Sequence, residues 1–430
     1  MSAQRWAALS LSLSVALCGA AGVLFWQSRV QRLSVELDID ARGYDPKAPP
    51  ALAPEEAGVP SVLENPHPLY PPSTFRRTPW DSADFPQPTT ARGNPLRFDP
   101  QSGFMFSGGM DRRREWAEHP EGGWSVRTNS HGLRDDDEPA VERPDLRIVV
   151  LGDSHTAGFC NNRESFAQLV EGRLASTRPG LRIEALNAAV PGYTFQHYLG
   201  ALERMLAFVP DVAIVALYGG NDFGETLGHQ HRAHGTARGD LAALQARLEK
   251  VQDLDPELVS QALFSVEQFR FDPPQVEVAL QAARDVLTEL QVTCARFGVT
   301  PLFVYIPSSL EVEFERRRER FEAALAALGA SPADCSVLER LADSTLAFLE
   351  ARGCATVDLR PAFRASTGKL YWDEDFHLAV EGHALAAREI AAALERIVPS
   401  DSRRVRRGSP ALDIDTRRAL LSPGAGQPRQ

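Results

Sequence analysis

Between residues 146 and 399, short apolar runs alternate along the chain with longer stretches of helical periodicity. Five apolar runs predict strands, at residues 146–152, 181–187, 211–219, 301–307 and 355–359. Amphipathic stretches predict helices, at residues 164–176, 195–208, 276–297, 311–327, 333–351 and 380–397. Short buried strands separated by helices are typical of a parallel sheet that is covered on both faces. The pattern therefore predicts an α/β fold, a three-layer α/β/α sandwich around a mainly parallel five-stranded sheet.

The start of the chain carries an uncharged stretch of 21 residues, from Trp6 to Trp26. Its length suffices for a helix to cross a bilayer, and its two terminal tryptophans suit the membrane interfaces. We therefore expect a transmembrane anchor that leaves the rest of the protein outside the cytoplasm. The alternative is a signal peptide cleaved near Ala20, which would make the protein secreted or periplasmic.

Proline-rich sequence follows this stretch, and a basic segment without apolar periodicity ends the chain. Prolines restrain their neighbours and favour an extended spacer, whereas a polar segment without periodicity predicts disorder. The predicted division is 1–28 anchor or signal peptide, 29–100 linker, 101–145 lead-in segment packing on the core, 146–399 α/β domain and 400–430 disordered tail. An insert at about 225–274 follows the third strand directly, so we expect it to form a lid.

Composition and charge narrow the class of protein. Hydrophobic residues make up 43% of the chain and charged residues 24%, which excludes a chain that is disordered throughout or fibrous. The formal net charge of −11 disfavours nucleic acid as a partner, because phosphate backbones need clustered cations.

Cysteine and histidine spacing gives no metal prediction. The four cysteines beyond the apolar stretch are Cys160, Cys294, Cys335 and Cys354. They allow one or two disulfides in an oxidising compartment, and small buried thiols are the alternative. Three histidines cluster at His229, His231 and His234, but no carboxylate or cysteine stands at metal-site spacing from them. We expect a loop there rather than a metal site, and no cofactor is predicted.

Polar groups follow three of the predicted strands and precede the last helix. They are Gly152-Asp153-Ser154, the segment from Asn187 to Gly192, Gly219-Gly220-Asn221-Asp222, and Asp373-Glu374-Asp375-Phe376-His377. Ligands of parallel α/β sheets bind at the carboxyl ends of the strands, where the first three groups would lie together. Taken singly, Ser154 has the alternative interpretation of a helix cap, and Asn221 that of an Asx turn.

Together these groups supply the parts of an acyl-transfer site. A serine hydroxyl becomes nucleophilic when a histidine removes its proton, and a carboxylate holds that histidine in the required tautomer. Ser154, His377 and an acid near His377 fill these roles. The backbone N–H groups of Ser154 and Gly192 and the side-chain amide of Asn221 could donate to the oxyanion, each donor contributing on the order of 3 kcal/mol.

This order of motifs resembles the SGNH hydrolase superfamily, also called GDSL-type esterases. The resemblance covers residues 146–397, through GDS, the lone glycine at 192, GGND and the histidine block followed by Gly382-His383. Residues 128–135, TNSHGLRD, also look like the lead-in of exported, membrane-anchored members. The resemblance implies a flavodoxin-like fold and either ester hydrolysis or acyl transfer on acetylated glycans, lipids or small esters.

The acid departs from the commonest spacing of that superfamily, which places Asp three residues before the histidine. Glu374 occupies that position here, and Asp375 lies two residues before His377. The latter spacing resembles the alginate O-acetylation branch, where however the pair precedes the serine. We predict Asp375 as the acid, with Glu374 and then Asp373 as alternatives.

Two further histidines stand near these motifs. His155 is expected to point away from Ser154, and His383 to pack or cap in the last helix.

The sequence thus predicts an exported, membrane-tethered serine esterase that forms an acyl-enzyme on Ser154. Its expected partner is an acylated, above all acetylated, envelope or extracellular glycan, or another small ester. The alternatives are an O-acetyltransferase acting on a polysaccharide and a non-catalytic envelope protein that retains the fold.

Overall fold

The computed structural model describes residue 80 and residues 95–234, 258 and 263–398, with only the backbone of residues 230–234. Within this part of the chain, no helix is both long and apolar enough to cross a membrane. The predicted anchor, nearly all of the predicted linker, much of the insert and the predicted tail lie outside the described residues.

The lead-in segment, which we define from here on as residues 95–145, forms two antiparallel β-hairpins. Their strands are β1 Leu96–Asp99, β2 Gly103–Phe106, β3 Asp111–Glu115 and β4 Gly123–Arg127. β1 pairs with β2, and β3 pairs with β4. The predicted linker ended at residue 100, which is wrong, because β1 begins at Leu96. Leu96 is buried and pairs in register with Phe106, so this end of the proline-rich region belongs to the fold.

A five-stranded parallel sheet forms the centre of the molecule, as the sequence predicted. Its strands are β5 Leu146–Leu151, β6 Ile183–Asn187, β7 Val212–Tyr218, β8 Thr300–Ile306 and β9 Ala355–Asp358. The spatial order is β6-β5-β7-β8-β9, and every neighbouring pair is parallel. The chain moves from β5 to one side for β6 and to the other side for β7, which leaves a crevice at the carboxyl end of β5.

Helices connect and cover the strands. Those of the described residues are α1 Ser154–Ala157, α2 Phe166–Thr177, α3 Phe195–Met205, α4 Asp222–His234, α5 Phe264–Phe271, α6 Gln275–Phe297, α7 Ser309–Val312, α8 Arg318–Leu328, α9 Ser336–Ala351, α10 Arg360–Ala365 and α11 Val380–Ile397. Helices on both faces of the sheet make the predicted α/β/α sandwich.

Two predictions of secondary structure are wrong. The histidine-rich segment, expected to be a loop, is the second half of α4. The negative charges of Asp222 and Glu225 favour the start of this helix. Its first half is held in the core by Phe223 and Leu227. The helix expected at 311–327 is broken into α7 and α8. Arg317, between them, donates to the Glu313 carboxylate and to a carbonyl of the chain before α11, and these bonds hold a turn.

Two hydrophobic cores lie on the two faces of the sheet. Alternate residues of β5 divide between them, with Val149 in one and Val150 in the other. The core that holds Val149 also includes Phe104, Trp124 and Leu133 of the lead-in segment. The lead-in segment therefore shares the core of the α/β domain.

All four cysteines of the described residues are free thiols. Cys160 and Cys294 are buried, and burial raises the pKa of the Cys160 thiol to about 12. The structure therefore agrees with the interpretation of small buried thiols at these two positions.

Candidate active site

Ser154 is the first residue of α1 and follows β5 by a tight turn. Asp153 caps the helix, because its carboxylate accepts a hydrogen bond of 2.9 Å from the backbone N–H of His155. Gly152 precedes it where no side chain fits, since a Cβ there would lie 2.1 Å from Thr156 Oγ1. The turn delivers the Ser154 side chain to the crevice beside β5, and the residue is only 5% exposed.

The structure brings His377 to Ser154, although 223 positions separate them. Nε2 of His377 lies 2.8 Å from Oγ of Ser154, within hydrogen-bond distance. Nδ1 of the same ring lies 3.2 Å from Oδ2 of Asp375. An Nδ1–H tautomer facing the carboxylate leaves Nε2 as the acceptor for the serine proton. The three side chains therefore have the arrangement that activates a serine nucleophile.

The acid that faces the imidazole is Asp375. Its Oδ1 accepts a hydrogen bond of 3.0 Å from the backbone N–H of His377, which fixes the carboxylate beside the ring. Asp373 instead pairs with Arg317 at 2.8 Å and Lys369 at 2.7 Å. Glu374 is exposed, and among the described residues it makes no contact with the ring. Of the three predicted acids, the structure places only Asp375 against His377.

The predicted oxyanion donors follow three neighbouring strands. Ser154, Gly192 and Asn221 come after β5, β6 and β7, and β5 lies between the other two. Within the described part of the chain, no carbonyl accepts a hydrogen bond from the N–H of Ser154 or of Gly192. Gly192 has a φ of 85°, which favours glycine. Neither of these two backbone N–H groups is therefore occupied by a backbone carbonyl, as an oxyanion donor requires.

Asn221 is held by the residue that follows it. Asp222 Oδ2 accepts hydrogen bonds from the hydroxyl of Tyr198 at 2.7 Å and from the N–H of Tyr218 at 2.8 Å, which anchors the turn after β7. Asn221 is 3% exposed, and its Oδ1 has no hydrogen-bond donor among the described residues. Rotation of the amide to present Nδ2 to an oxyanion therefore breaks no bond at Oδ1.

Aromatic rings enclose the imidazole of His377 on both faces. Phe159 stacks on one face with a centroid distance of 3.9 Å, and His155 on the other at 4.7 Å. The His155 ring stacks in turn on Tyr218 at 3.7 Å. The His377 ring is therefore packed between neighbouring rings, and its Nε2 is held at Ser154. His155 lies beside the His377 ring, and the nitrogen that meets Ser154 belongs to His377.

His383 lies in α11 and is buried, as its sequence position suggested, but the helix that it caps is α2 and not the last helix. Its Nδ1 accepts a hydrogen bond of 3.3 Å from the N–H of Phe166, the first residue of α2. Burial, and after it the positive charge of Arg134, lowers the pKa of His383 to about 3. The ring is therefore neutral at physiological pH and is a structural acceptor.

The described residues hold no group of three His, Cys, Asp or Glu side chains arranged for a metal ion. Of the histidine cluster, His229 is buried and packs 5.2 Å from the ring of Trp80 and 4.9 Å from that of His197. The side chains of His231 and His234 lie outside the described residues.

Sequence motifs did not identify several residues that lie in or contact the segments around Ser154 and His377. Phe159 belongs to this group, as does Trp372, which donates a hydrogen bond of 3.0 Å to the Phe159 carbonyl. Glu118 and Arg134 of the lead-in segment belong to it too. Arg134 was visible only as part of the TNSHGLRD motif, and no spacing rule pointed to Glu118 or Phe159.

Part of the chain resembles a known family. Residues 150–338 match the model of the GDSL-like Lipase/Acylhydrolase family. None of the curated proteins matches the chain. Among solved structures, TesA is 14% identical with a TM-score of 0.35, over 59% of this chain and 100% of that chain.

Two esterase structures give similar values. The acetyl xylan esterase AlAXEase is 14% identical with a TM-score of 0.35, over 58% of this chain and 100% of that chain. A catalytic mutant of Axe2, an acetylxylan esterase from Geobacillus stearothermophilus, is 15% identical with a TM-score of 0.35, over 58% and 94%. On the family match and the motifs that carry Ser154 and His377, residues 150–338 are similar to a GDSL-like lipase/acylhydrolase domain, and the chain is an enzyme that acts on ester bonds.

Proposed function

We propose that the protein is a serine esterase that removes short acyl groups, acetyl above all, from a glycan or another small ester outside the cytoplasm. The observation that carries the proposal is the contact of 2.8 Å between Ser154 Oγ and His377 Nε2, with Asp375 behind the ring. A hydroxyl held in this way attacks an ester carbonyl while the imidazole takes its proton.

The reaction proceeds in two halves. Ser154 Oγ bonds to the carbonyl carbon, and the N–H groups of Ser154 and Gly192, with the Asn221 amide, stabilise the oxyanion. The intermediate then expels the alcohol, which takes the proton from His377, and an acyl-enzyme remains. Water attacks this ester with His377 again as base, and release of the acid restores the serine hydroxyl.

Burial supports a short acyl group. Ser154 is 5% exposed and His377 is 3% exposed, so only a small part of each side chain faces solvent. An acetyl group needs room for one methyl beside the carbonyl, whereas a long chain needs an apolar channel. The uncharged stretch from Trp6 to Trp26 supports a location outside the cytoplasm, and extracellular and envelope glycans are the acylated polymers accessible there.

Hydrolysis of p-nitrophenyl acetate tests the proposal. Ser154→Ala should lower kcat/KM by at least about 10³-fold without change in the melting temperature. Ser176→Ala, at an exposed position of α2, is the matched control and should keep full activity. Unchanged turnover by Ser154→Ala would refute the assignment of the nucleophile.

Two further measurements separate the alternatives. A fluorophosphonate probe should label Ser154 in the wild-type protein. Absence of labelling would favour the alternative of a non-catalytic envelope protein. Mass spectrometry of an added oligosaccharide detects transfer of acetyl to a sugar hydroxyl. Transfer that exceeds hydrolysis would make the enzyme an O-acetyltransferase that uses the same acyl-enzyme.

A further inference from the structure

The lead-in segment contacts both halves of the catalytic site through two oppositely charged side chains. Arg134 binds the chain that follows Ser154, which we call the serine loop (residues 156–160). Glu118 binds the chain that precedes His377, which we call the histidine loop (residues 372–377). The lead-in segment precedes β5, so neither residue belongs to the sheet that carries the catalytic motifs.

Arg134 gathers the carbonyl groups of the serine loop. Its guanidinium donates to the carbonyl oxygens of Ala157 at 2.6 Å, Gly158 and Cys160, and to Asn162 Oδ1 at 3.0 Å. The side chain is 1% exposed, so water does not compete for these bonds. Burial lowers the pKa of Arg134 to about 10, which keeps the group positive at neutral pH.

The two remaining carbonyls of the serine loop also have donors. Asn187 Nδ2 donates to the Thr156 carbonyl at 3.2 Å, and Trp372 Nε1 to the Phe159 carbonyl at 3.0 Å. Because α1 has a single turn, no further turn of helix exists to satisfy them. Arg134 supplies three of the five bonds, and its planar fork reaches carbonyls that point in different directions.

The serine loop carries the ring that faces His377. Phe159 lies between residues whose carbonyls Arg134 binds, and its ring stacks on the imidazole at 3.9 Å with an interplanar angle of 17°. A shift of the serine loop therefore moves the Phe159 ring that packs against the His377 imidazole. Reaction rates are sensitive to such shifts, since a misplacement of about 1 Å costs about 10²-fold.

Glu118 binds the histidine loop through both carboxylate oxygens. Oε2 accepts from the N–H of Asp373 at 2.6 Å and Oε1 from the N–H of Glu374 at 2.7 Å. Lys369 donates to Oε2 at 2.7 Å. The next residue, His119, contacts Glu164 Oε2 at 3.0 Å, which ties the hairpin end to the α/β domain. The two bound amides immediately precede Asp375, so their position sets that of the acid and of His377.

We propose that Arg134 and Glu118 are positioning residues that hold the serine loop and the histidine loop in the register required for proton transfer between Ser154 and His377. The inference rests on the proposed function, because it assigns these residues a part in the same reaction. Neither side chain touches the reacting atoms, so they act through Phe159 and through the backbone before Asp375.

Steady-state kinetics of Arg134→Lys and Glu118→Gln test the inference. Lysine keeps the charge but loses the fork, and glutamine keeps the length but loses one acceptor oxygen. We expect kcat on p-nitrophenyl acetate to fall by about 10- to 100-fold, with KM changed less than about threefold. Arg127→Lys and Glu115→Gln, at exposed positions of the β3–β4 hairpin, are the matched controls and should keep wild-type kcat.

Hydrogen exchange measured by mass spectrometry provides a readout that does not depend on catalysis. In the Ser154→Ala background, Glu118→Gln should accelerate exchange of the amides of residues 373 and 374 by about tenfold, and Arg134→Lys should accelerate exchange in residues 156–160. The global melting temperature shows whether either variant has unfolded. If Arg134→Lys does not fold, Glu118→Gln decides the outcome.

Unchanged kcat and unchanged local exchange in folded variants would overturn the inference. A loss confined to KM would also contradict it, since that result would place the residues in substrate binding. If wild-type Ser154 fails to react with a fluorophosphonate, the proposed function fails, and the exchange experiment still decides whether these residues hold the loops.

Discussion

A single residue in an unusual conformation shapes the catalytic histidine loop. Phe376, between Asp375 and His377, has a φ of 60°, a region that residues with a Cβ rarely occupy. Such a conformation costs on the order of 1–3 kcal/mol. The ring is 1% exposed, and the guanidinium groups of Arg317 and Arg320 lie 5.2 Å and 4.2 Å from its centroid. Burial of Phe376 therefore offsets the strain that turns the acid and the imidazole toward each other.

Substitution of the three neighbouring carboxylates separates their roles. Asp375→Asn should lower kcat by about 10³- to 10⁴-fold, because an amide does not hold the Nδ1–H tautomer or stabilise the imidazolium. Glu374→Gln and Asp373→Asn should keep kcat within about threefold, since neither side chain contacts the ring. Kinetics on p-nitrophenyl acetate provide the measurement. A larger loss in Glu374→Gln than in Asp375→Asn would contradict the geometry.

The buried His383 should make the protein less stable in acid. Its pKa of about 3 in the folded state lies below the ordinary value of 6.5, so the unfolded chain binds the proton first. The contribution of this group is complete above pH 6.5 and is lost as the pH falls toward 3.

His383→Gln removes this ionisation and keeps an acceptor for the Phe166 amide. Its melting temperature should fall less steeply than that of the wild-type protein between pH 7 and pH 4. Thermal unfolding followed by circular dichroism measures both slopes, and parallel slopes would show that the folded state accepts this proton without cost.

At the scale of elements, the sequence was most informative where strands are buried on both faces. The five strands of the sheet were predicted within about two residues of their observed ends, because buried parallel strands form continuous apolar runs. Strand β3, with sequence DRRRE, carries no such pattern. Its conformation depends on pairing with β4, and a pairing of this kind leaves no local trace in the sequence.

The same limit applies to the candidate site. Ser154, Gly192, Asn221 and His377 were predicted because they follow strands or precede a helix in recognisable motifs. Phe159 acts through a ring face, and Glu118 through an ion pair and backbone amides of a segment more than 250 positions away. Contacts of this kind depend on the tertiary structure alone. The choice among three adjacent acids also needed the backbone turn at Phe376.

Two glycine substitutions should change stability in opposite directions, because Gly152 is crowded where β5 approaches α1 and Gly172 has open space around it. Gly152→Ala places a methyl group 2.1 Å from Thr156 Oγ1, and it should destabilise the protein by about 1–3 kcal/mol and lower activity. Gly172→Ala, at an exposed position of α2 with open space around it, should stabilise the protein by about 0.5–1 kcal/mol. Denaturant unfolding measures both, and a neutral Gly152→Ala would mean that the turn relaxes freely.

At the scale of the whole molecule, the lead-in segment and the α/β domain share one hydrophobic core. Phe104, Trp124 and Leu133 are each at most 3% exposed and pack in the cluster that contains residues of β5 and α3. Burial of such side chains contributes about 1.5–3 kcal/mol each. Their removal would expose part of this shared core to water.

A truncated chain tests this dependence. A protein that begins at residue 146 should aggregate or lack a cooperative thermal transition, whereas one that begins at residue 79 should unfold cooperatively and keep esterase activity. The second variant retains Trp80, whose Nε1 donates to the Gln101 carbonyl at 3.0 Å. Near-ultraviolet circular dichroism and size-exclusion chromatography compare the two. A soluble, cooperatively folded fragment from residue 146 would show that the α/β domain is autonomous.

The buried thiol of Cys160 can report motion of the serine loop without an added label. Alkylating reagents attack the thiolate, and Cys160 is both covered and, with a pKa of about 12, almost entirely protonated at neutral pH. Its carbonyl is one of those that Arg134 binds. Modification of Cys160 therefore requires Arg134 to release the serine loop. The rate of modification then measures how often this loop opens beside His377. An inhibitor that reaches Cys160 would trap the enzyme in that open state.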